Sequence, residues 1–497
     1  MSNVPNYFAA FFVVTPQKKS KINLLLALRR RRAPPPPQGK FKCPGKMRKR
    51  ENSAAIFIYK RQRYGIIGEK KAEALTGNSA GRMTEIKKIK LGVLGGYRGK
   101  SMMEYAVRSD DCTLTAVCDY SKAVLDDCAR FFEERQYPVA LCSDFESFLS
   151  CDMDAVVLAN YANEHAPYAV RCLKRGLHVF SEVLPVATLK EAAELCDAVE
   201  ESGKVYFYAE NYCYFEAVRE MRRLMQSGAL GEFQYGEGEY LHDCEPGWAS
   251  LTYGDRRHWR NTMDAFYYCT HSFGPLRHVS GLRPVKVSGF EAPYSEKTNR
   301  MGCAAAPFAV EMVTLENGAL VKSIHGIAPS RNSVWYCVYG SKGIAESGRE
   351  GISAGTRVLS ASLDGVNEGK YRTYEPADAL TERAKNFGHE GGDLFVMYHF
   401  IRAINGLPND GIDVYEALDM YFVGHFAHIS SLRGGAPVEI PDFRDRSVRD
   451  RYRNDDASVM RPDNDFSVNP PSCHPTPSYP DSLYRKLRQD YLKNLGK

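Results

Sequence analysis

The sequence predicts an α/β protein in two parts: a parallel sheet wound with helices, then a second α/β domain whose open sheet is mostly antiparallel. Three observations predict it. Between Ile89 and about Phe207, short apolar runs alternate with amphipathic helical stretches, the rhythm of successive βαβ units. After a helical stretch at Ala217–Gln226 the period changes to two, in Phe233–Leu241, Val285–Phe290, Phe308–Leu315, Ala319–Gly326 and Val334–Tyr339. Asn317-Gly318 between two of these runs is a hairpin turn signal.

The first part opens with an apolar strand (Leu91, Val93, Leu94) and the glycine turn Gly95, Gly96, Tyr97, Arg98, Gly99. A helical stretch follows, then a second strand, Leu114–Cys118, ending at Asp119. Glycines let backbone N–H groups approach a pyrophosphate at a helix N-terminus, and an acid closing the second strand accepts hydrogen bonds from ribose hydroxyls. This is how a Rossmann domain holds a dinucleotide. Asp119 would repel a 2′-phosphate, so NAD is expected and NADP is not. The turn is one residue short of G-x-G-x-x-G, and only Gly95 and Gly99 fall at matched positions, so an ordinary strand-to-helix turn is the alternative. Further along, Ala155–Ala159 and His178–Phe180 are buried strands, Ala166–Arg175 is helical, and Leu189–Ser202 is a helix stopped by Gly203. In the second part, Leu394, Met397, Ile401 and Ile404 lie at helical spacing, and this helix is expected to cover one face of the antiparallel sheet.

At 497 residues the chain is too long for one core. Four segments are expected: a disordered basic extension at 1–82, the Rossmann domain at 83–207, an α/β substrate and oligomerisation domain at 208–443, and a polar tail at 444–497. The first segment has two other readings, a targeting arm or an upstream extension with Met83 opening the domain. The net charge of +6 owes much to this segment, which carries Arg29–Arg32 and Arg48–Arg50, so the charge gives no support to a nucleic-acid partner. No run of 18 apolar residues is present, so no membrane span is expected. The 14 cysteines are scattered singly without zinc-finger spacing and read as reduced thiols of a cytoplasmic protein. His242-Asp243 lacks further ligands at useful spacing and reads as a hydrogen-bonded strand end; no metal site is expected.

With the glycine turn and Asp119, three further features resemble the Gfo/Idh/MocA oxidoreductases over residues 86–443: Asn163-Glu164-His165 after one strand, Glu182 after the next, and the order of the two domains. The resemblance implies that Asn163, His165 and Glu182 flank the nicotinamide side of the cofactor. His165 has a second reading as a helix-start residue bonded to backbone. Ordinary dehydrogenases of that family continue Glu-Lys-Pro, the lysine assisting proton transfer from a substrate hydroxyl. This chain has Glu182-Val183-Leu184-Pro185, and an apolar Val183 can neither give nor take a proton.

Loss of the lysine is similar to the NAD-dependent glycosidases of glycoside hydrolase family 109. The runs Glu210–Tyr214, Glu239–Asp243, His258–Arg260, Tyr268–His271 before Gly274-Pro275, Gly340–Gly343, and Gly388-His389 before Asp393 resemble that branch in order. The resemblance implies transient oxidation of a sugar 3-hydroxyl by NAD, elimination of the glycosidic oxygen after loss of the C2 proton, and addition of water. Such enzymes need no acid and nucleophile carboxylate pair. Tyr214, Tyr268 and His271 are the residues implied for catalysis, with Glu182 and His389 behind them; His271 can take the hydroxyl proton in place of the missing lysine. Among thirty tyrosines most are packing, and Tyr208 and Tyr212 are read so. Asn332, in Pro329–Asn332, stands where the branch carries a tyrosine, so N-acetylgalactosamine specificity does not carry over. The expected partner is a small sugar or glycoside, and the family suggests a homo-dimer or homo-tetramer. A net NAD-dependent sugar or polyol dehydrogenase and a non-catalytic dinucleotide-binding protein are the alternatives.

Overall fold

The structure, a computed structural model, describes residues 87–328, 332–349, 356–360, 372–376, 380–461 and 463–494. The expected extension at 1–82 and Pro329–Arg331 lie outside the described residues.

Six strands form the first sheet: β1 (Ile89–Leu94), β2 (Cys112–Cys118), β3 (Ala140–Cys142), β4 (Ala155–Leu158), β5 (His178–Ser181) and β6 (Tyr206–Tyr208). All pair parallel, in the order β3-β2-β1-β4-β5-β6. The connecting helices are α1 (Lys100–Arg108), α2 (Lys122–Glu133), α3 (Phe145–Leu149), α4 (His165–Lys174) and α5 (Leu189–Ser202). Their starts follow from local chemistry. Ser121, Asp144 and Thr188 each accept a hydrogen bond from the backbone N–H three residues on, and Gly203, at φ 60°, ends α5. Because the centre of the sheet is covered on both faces, its central strands are mostly apolar: β4 is fully buried and so is nearly all of β1. The order reverses between β1 and β4, which leaves a crevice at their carboxyl ends where the loops part to opposite faces.

After α6 (Glu216–Gln226) comes the second sheet: β7 (Phe233–His242), β8 (Pro284–Glu291), β9 (Phe308–Leu315), β10 (Leu320–Ile327), β11 (Ser333–Gly340), β12 (Gly343–Ser347), β13 (Thr356–Ser360), β14 (Arg372–Tyr374) and β15 (Val438–Glu439). The order is β14-β13-β12-β11-β7-β10-β9-β8-β15. Only the β7–β10 pair is parallel, and Asn317-Gly318 turns β9 into β10 as expected. One expectation is corrected. The helix carrying Leu394, Met397, Ile401 and Ile404, α7 (Gly392–Ile404), lies on the parallel sheet's side. Its Phe400 meets Phe180 of β5 and Phe207 of β6 edge-on at 5.5 and 5.8 Å, and it packs beside α1. The antiparallel sheet is covered instead by α8 (Val414–Ser431), buried along almost its whole length and packed on β8. An apolar stripe specifies that a helix is covered, not by which sheet.

The segment read as a polar tail from Arg444 on packs against both halves. Arg449, 1% exposed, pairs with Asp197 and Glu200 of α5, and Val459 and Met460 are buried. Beyond Pro470 the chain crosses to the second sheet and ends in α9 (Asp481–Asn494), where Tyr484 donates to the Gly302 carbonyl and Arg488 to the Tyr253 carbonyl.

Candidate active site

The crevice is built first from the turn after β1. Gly95, at φ 96°, donates its N–H to the Cys118 carbonyl at 2.8 Å; a Cβ there would lie 2.4 Å from the Ala159 backbone. A Cβ on Gly99 would lie 2.4 Å from Val93 and 2.6 Å from the Gly95 carbonyl oxygen. Only glycine lets this turn pass so close to β4. Helix α1 then begins without a side-chain cap and without an acid in its first turn, leaving the positive end of its dipole for an anion. The Asp119 carboxylate accepts from the Gly96 N–H at 2.9 Å and the Ser121 N–H at 2.8 Å, which fixes it beside the turn, with Tyr97 and Tyr120 exposed at the rim. Across the crevice the side-chain oxygens of Asn160 and Asn163 are buried without a hydrogen-bond partner. A glycine cradle at an uncapped helix, a ribose-facing carboxylate and unpartnered amide oxygens at the far end fit a dinucleotide.

His165 does not join this set. It is 1% exposed, and its ring nitrogens contact the Leu184 carbonyl at 2.8 Å and the Asn160 carbonyl at 3.3 Å. Burial pushes its pKa down to about 4, so the ring is neutral. Instead of reaching a cofactor, as expected, it ties the loop after β4 to the loop after β5.

Arg98 leaves the glycine turn and crosses to the second domain. Its guanidinium lies 2.6 Å from Glu182 Oε1 and 3.2 Å from Asp393 Oδ1. Asp393, at the start of α7, is fully buried and is also bonded by Asn211 at 3.0 Å and His389 at 3.1 Å. Burial alone would raise its pKa; Arg98 and His389 outweigh this and hold the carboxyl well below the usual range. Glu182, also buried, has its pKa raised by desolvation despite Arg98. His389 and Glu390 both adopt left-handed backbone, at φ 50° and 53°, a strained turn that presents His389 to this network.

Beside it stands His271, on a short helix, Cys269–Ser272. Its Nδ1 lies 2.7 Å from Oε1 of fully buried Glu210, so Nδ1 carries the proton and Nε2 the lone pair. Three tyrosine rings enclose the imidazole, with centroids at 4.3 Å (Tyr212), 4.7 Å (Tyr240) and 5.4 Å (Tyr268). The Tyr268 hydroxyl accepts from Arg260 Nη1 at 2.7 Å, placing a permanent cation on the phenol oxygen. His389 lies against Tyr212 at 6.5 Å, joining the two clusters. At the rim, Lys297 pairs with Asp243 at 2.9 Å, and the Asp243 N–H donates to the Asn332 side chain at 2.5 Å.

The structure thus brings together His271, Tyr268, Glu182, His389 and Arg98. It does not bring in Tyr214. That ring is buried away from His271, stacked on His399 at 5.3 Å, and its hydroxyl donates to the Asp410 carbonyl at 2.6 Å. The 3₁₀ turn Asn211–Tyr214 is the physical reason: residues two apart on it point in different directions, so Tyr212, read from sequence as packing, faces the imidazole. Tyr240, Asn211, Arg260 and Asp393 were also missed as site residues. Tyr240 and Arg260 lie inside runs already singled out, and the inward phase of β7 identifies the former.

A family model described as an oxidoreductase family with an NAD-binding Rossmann fold matches residues 89–210. Over those residues the chain carries the NAD-binding domain of the Gfo/Idh/MocA oxidoreductases. NAD is the cofactor of this family fold. A second model, the C-terminal domain of glycosyl hydrolase 109, matches residues 291–449. Relatives include a glycosyl hydrolase family 109 protein of Saccharopolyspora erythraea, 26% identical over 75% of this chain and 86% of its own length. An alpha-N-acetylgalactosaminidase of Bacteroides fragilis is 24% identical over 71% of this chain and 92% of its own length. Among solved structures, a levoglucosan dehydrogenase in complex with NADH and levoglucosan matches with a TM-score of 0.59 at 18% identity, covering 71% of this chain and all of that one. This last likeness is one of fold. Among the described residues, no helix is long and apolar enough to cross a membrane.

Proposed function

We propose that this oxidoreductase-family enzyme acts on a sugar or glycoside by transient oxidation of the 3-hydroxyl, elimination across C1 and C2, and addition of water, returning the cofactor to its starting state. The observation that carries the reading is the His271–Glu210 pair inside its ring of tyrosines, in a chain that has Val183 where the family's dehydrogenases place lysine. NAD supplies reversible two-electron oxidation of the substrate alcohol, and Gly95, Gly96, Gly99, Asp119 and Asn163 would hold it. His271 Nε2 takes the hydroxyl proton, while Glu210 keeps the imidazole in that tautomer and stabilises it once protonated. We assign removal of the C2 proton to Tyr268, which reacts as the phenolate with the Arg260 guanidinium on its oxygen and becomes the neutral phenol. Glu182, Arg98, Asp393 and His389 fix the electrostatics between cofactor and sugar. Tyr212 and Tyr240 supply flat apolar walls suited to a sugar ring.

We further propose a cytoplasmic homo-oligomer. Free thiols at the described cysteines support a reducing compartment, and Met312 and Leu320, exposed on adjacent strands of the open sheet, support self-association there.

Incubating the protein with a panel of aryl glycosides, following aglycone release and NADH absorbance together, tests the reaction. Aglycone release without net NADH, with deuterium entering at C2 from D₂O, is expected. Stoichiometric NADH without aglycone would establish the dehydrogenase reading in its place.

A further inference from the structure

On the far side of the second domain, three residues from distant parts of the chain meet: Asp264, which caps the 3₁₀ turn Ala265–Tyr268, Glu291 at the end of β8, and His428 on α8. Their carboxylate and imidazole atoms lie within 4.8 Å of one another. The side chains of Asp264 and Glu291 are fully buried and that of His428 is 4% exposed. Two carboxylates thus share one buried space, and among the described residues no lysine or arginine pairs with either.

The donor atoms are set toward a common point. His428 Nε2 lies 3.0 Å from the Pro470 carbonyl, which takes its proton and turns the Nδ1 lone pair inward. Asp264 Oδ1 is used by the Phe266 N–H, while Asp264 Oδ2 and His428 Nδ1 have no hydrogen-bond partner. Nδ1 stands 3.5 Å from Asp264 Oδ2 and 3.8 Å from Glu291 Oε1. These gaps are long for direct hydrogen bonds. They match the edges of a tetrahedron, about 3.4 Å, around an ion about 2.1 Å from each donor. Glu291 is oriented by Ser431, by Ser472 at 2.6 Å and by the Cys473 N–H at 3.0 Å.

We propose that Asp264, Glu291 and His428 bind one zinc-class divalent cation that fastens the segment Pro470–Cys473 to β8 and α8. One imidazole and two carboxylates at tetrahedral spacing, with water as the fourth ligand, select zinc or cobalt over the oxygen-rich, higher-coordinate sites of magnesium and calcium. The ion is structural: it steadies the start of the turn that carries Tyr268 and, beyond it, His271. The proposal is independent of the reaction assigned above.

The test uses the full chain, purified without a polyhistidine tag. Elemental analysis after equilibration with zinc and gel filtration is expected to find one ion per chain, and His428→Gln and Asp264→Asn to find none. Cobalt(II) added to chelator-stripped protein is expected to give the intense visible bands of a tetrahedral site, a readout that needs no variant. Stripping is expected to lower the Tm and to speed chymotryptic cleavage after Phe466. Failure of the wild-type chain to take up zinc or cobalt stoichiometrically, a cobalt spectrum without tetrahedral bands, or undiminished uptake by folded His428→Gln would each overturn the proposal.

Discussion

Replacing Glu210 with glutamine keeps shape and volume and removes only the charge and one acceptor preference. Glu210 is fully buried, its Oε1 holds His271 Nδ1 at 2.7 Å, and its Oε2 has no partner. A hydrogen bond to a charged group contributes about 1.5–3 kcal/mol, which sets a loss of about 10- to 150-fold if only that bond weakens as the imidazole becomes protonated. An amide can also turn its NH₂ toward Nδ1 and place the ring proton on Nε2, the wrong tautomer, a change that costs about 10⁴-fold in serine-protease triads. Between these limits, kcat of Glu210→Gln should fall about 10²- to 10³-fold. Stability should move the other way or not at all, since a buried carboxylate with a bare oxygen is costly to fold around. Turnover on the glycoside identified by the panel, NAD affinity by fluorescence quenching, and Tm are the measurements. A folded variant with kcat within about threefold of wild type would refute the role given to the His271–Glu210 pair, on the scale of the tenfold lower bound.

Arg98→Met should destabilise the protein by about 3 kcal/mol or more in urea unfolding, because it strands two buried carboxylates. Adding Asp393→Asn should recover a large part of that loss; strict additivity would refute the coupling. Tyr214→Phe should cost about 1 kcal/mol, the bond to the Asp410 carbonyl, and leave turnover unchanged, whereas Tyr212→Ala should lower turnover at least tenfold. Equal effects of the two on turnover would contradict the placement of these rings. His165 titrates near 6.5 when unfolded and at about 4 when folded. A depressed histidine pKa means that the unfolded chain binds the proton first, so its stabilising share is complete above pH 6.5 and drains away as pH falls toward 4. Over that window His165→Asn should lose about 3 kcal/mol less than wild type, measured as the difference in urea midpoints.

Much of the architecture was legible because its signals are local. The change of hydrophobic period marked where a parallel sheet gives way to an antiparallel one, and Asn317-Gly318 announced its hairpin. The glycine turn could be read because Gly95 and Gly99 are excluded from any other residue by backbone packing. Other features depend on distance. Tyr212 and Tyr214 differ by two-thirds of a turn of a 3₁₀ helix, a phase that no pattern in a run of aromatic residues reveals. Arg98 looked like a cofactor contact until its span to Asp393, 295 residues away, was in view. Asp264, Glu291 and His428 share no spacing at all, and the hydrophilic stretch after Arg444 concealed a buried arginine whose partners lie on α5.

That stretch has a kinetic consequence. It grips α5 at Arg449, then reaches across to the second domain and ends in α9, so it ties the two domains together like a seat belt. Moving the two domains apart requires breaking its contacts as well as the Arg98 bridge. An enzyme that discharges reduced cofactor after each cycle would be throttled by such a restraint, whereas one that regenerates its cofactor in place loses nothing by it. Residence of NAD on the protein, measured as exchange with labelled cofactor, should accordingly outlast many turnovers.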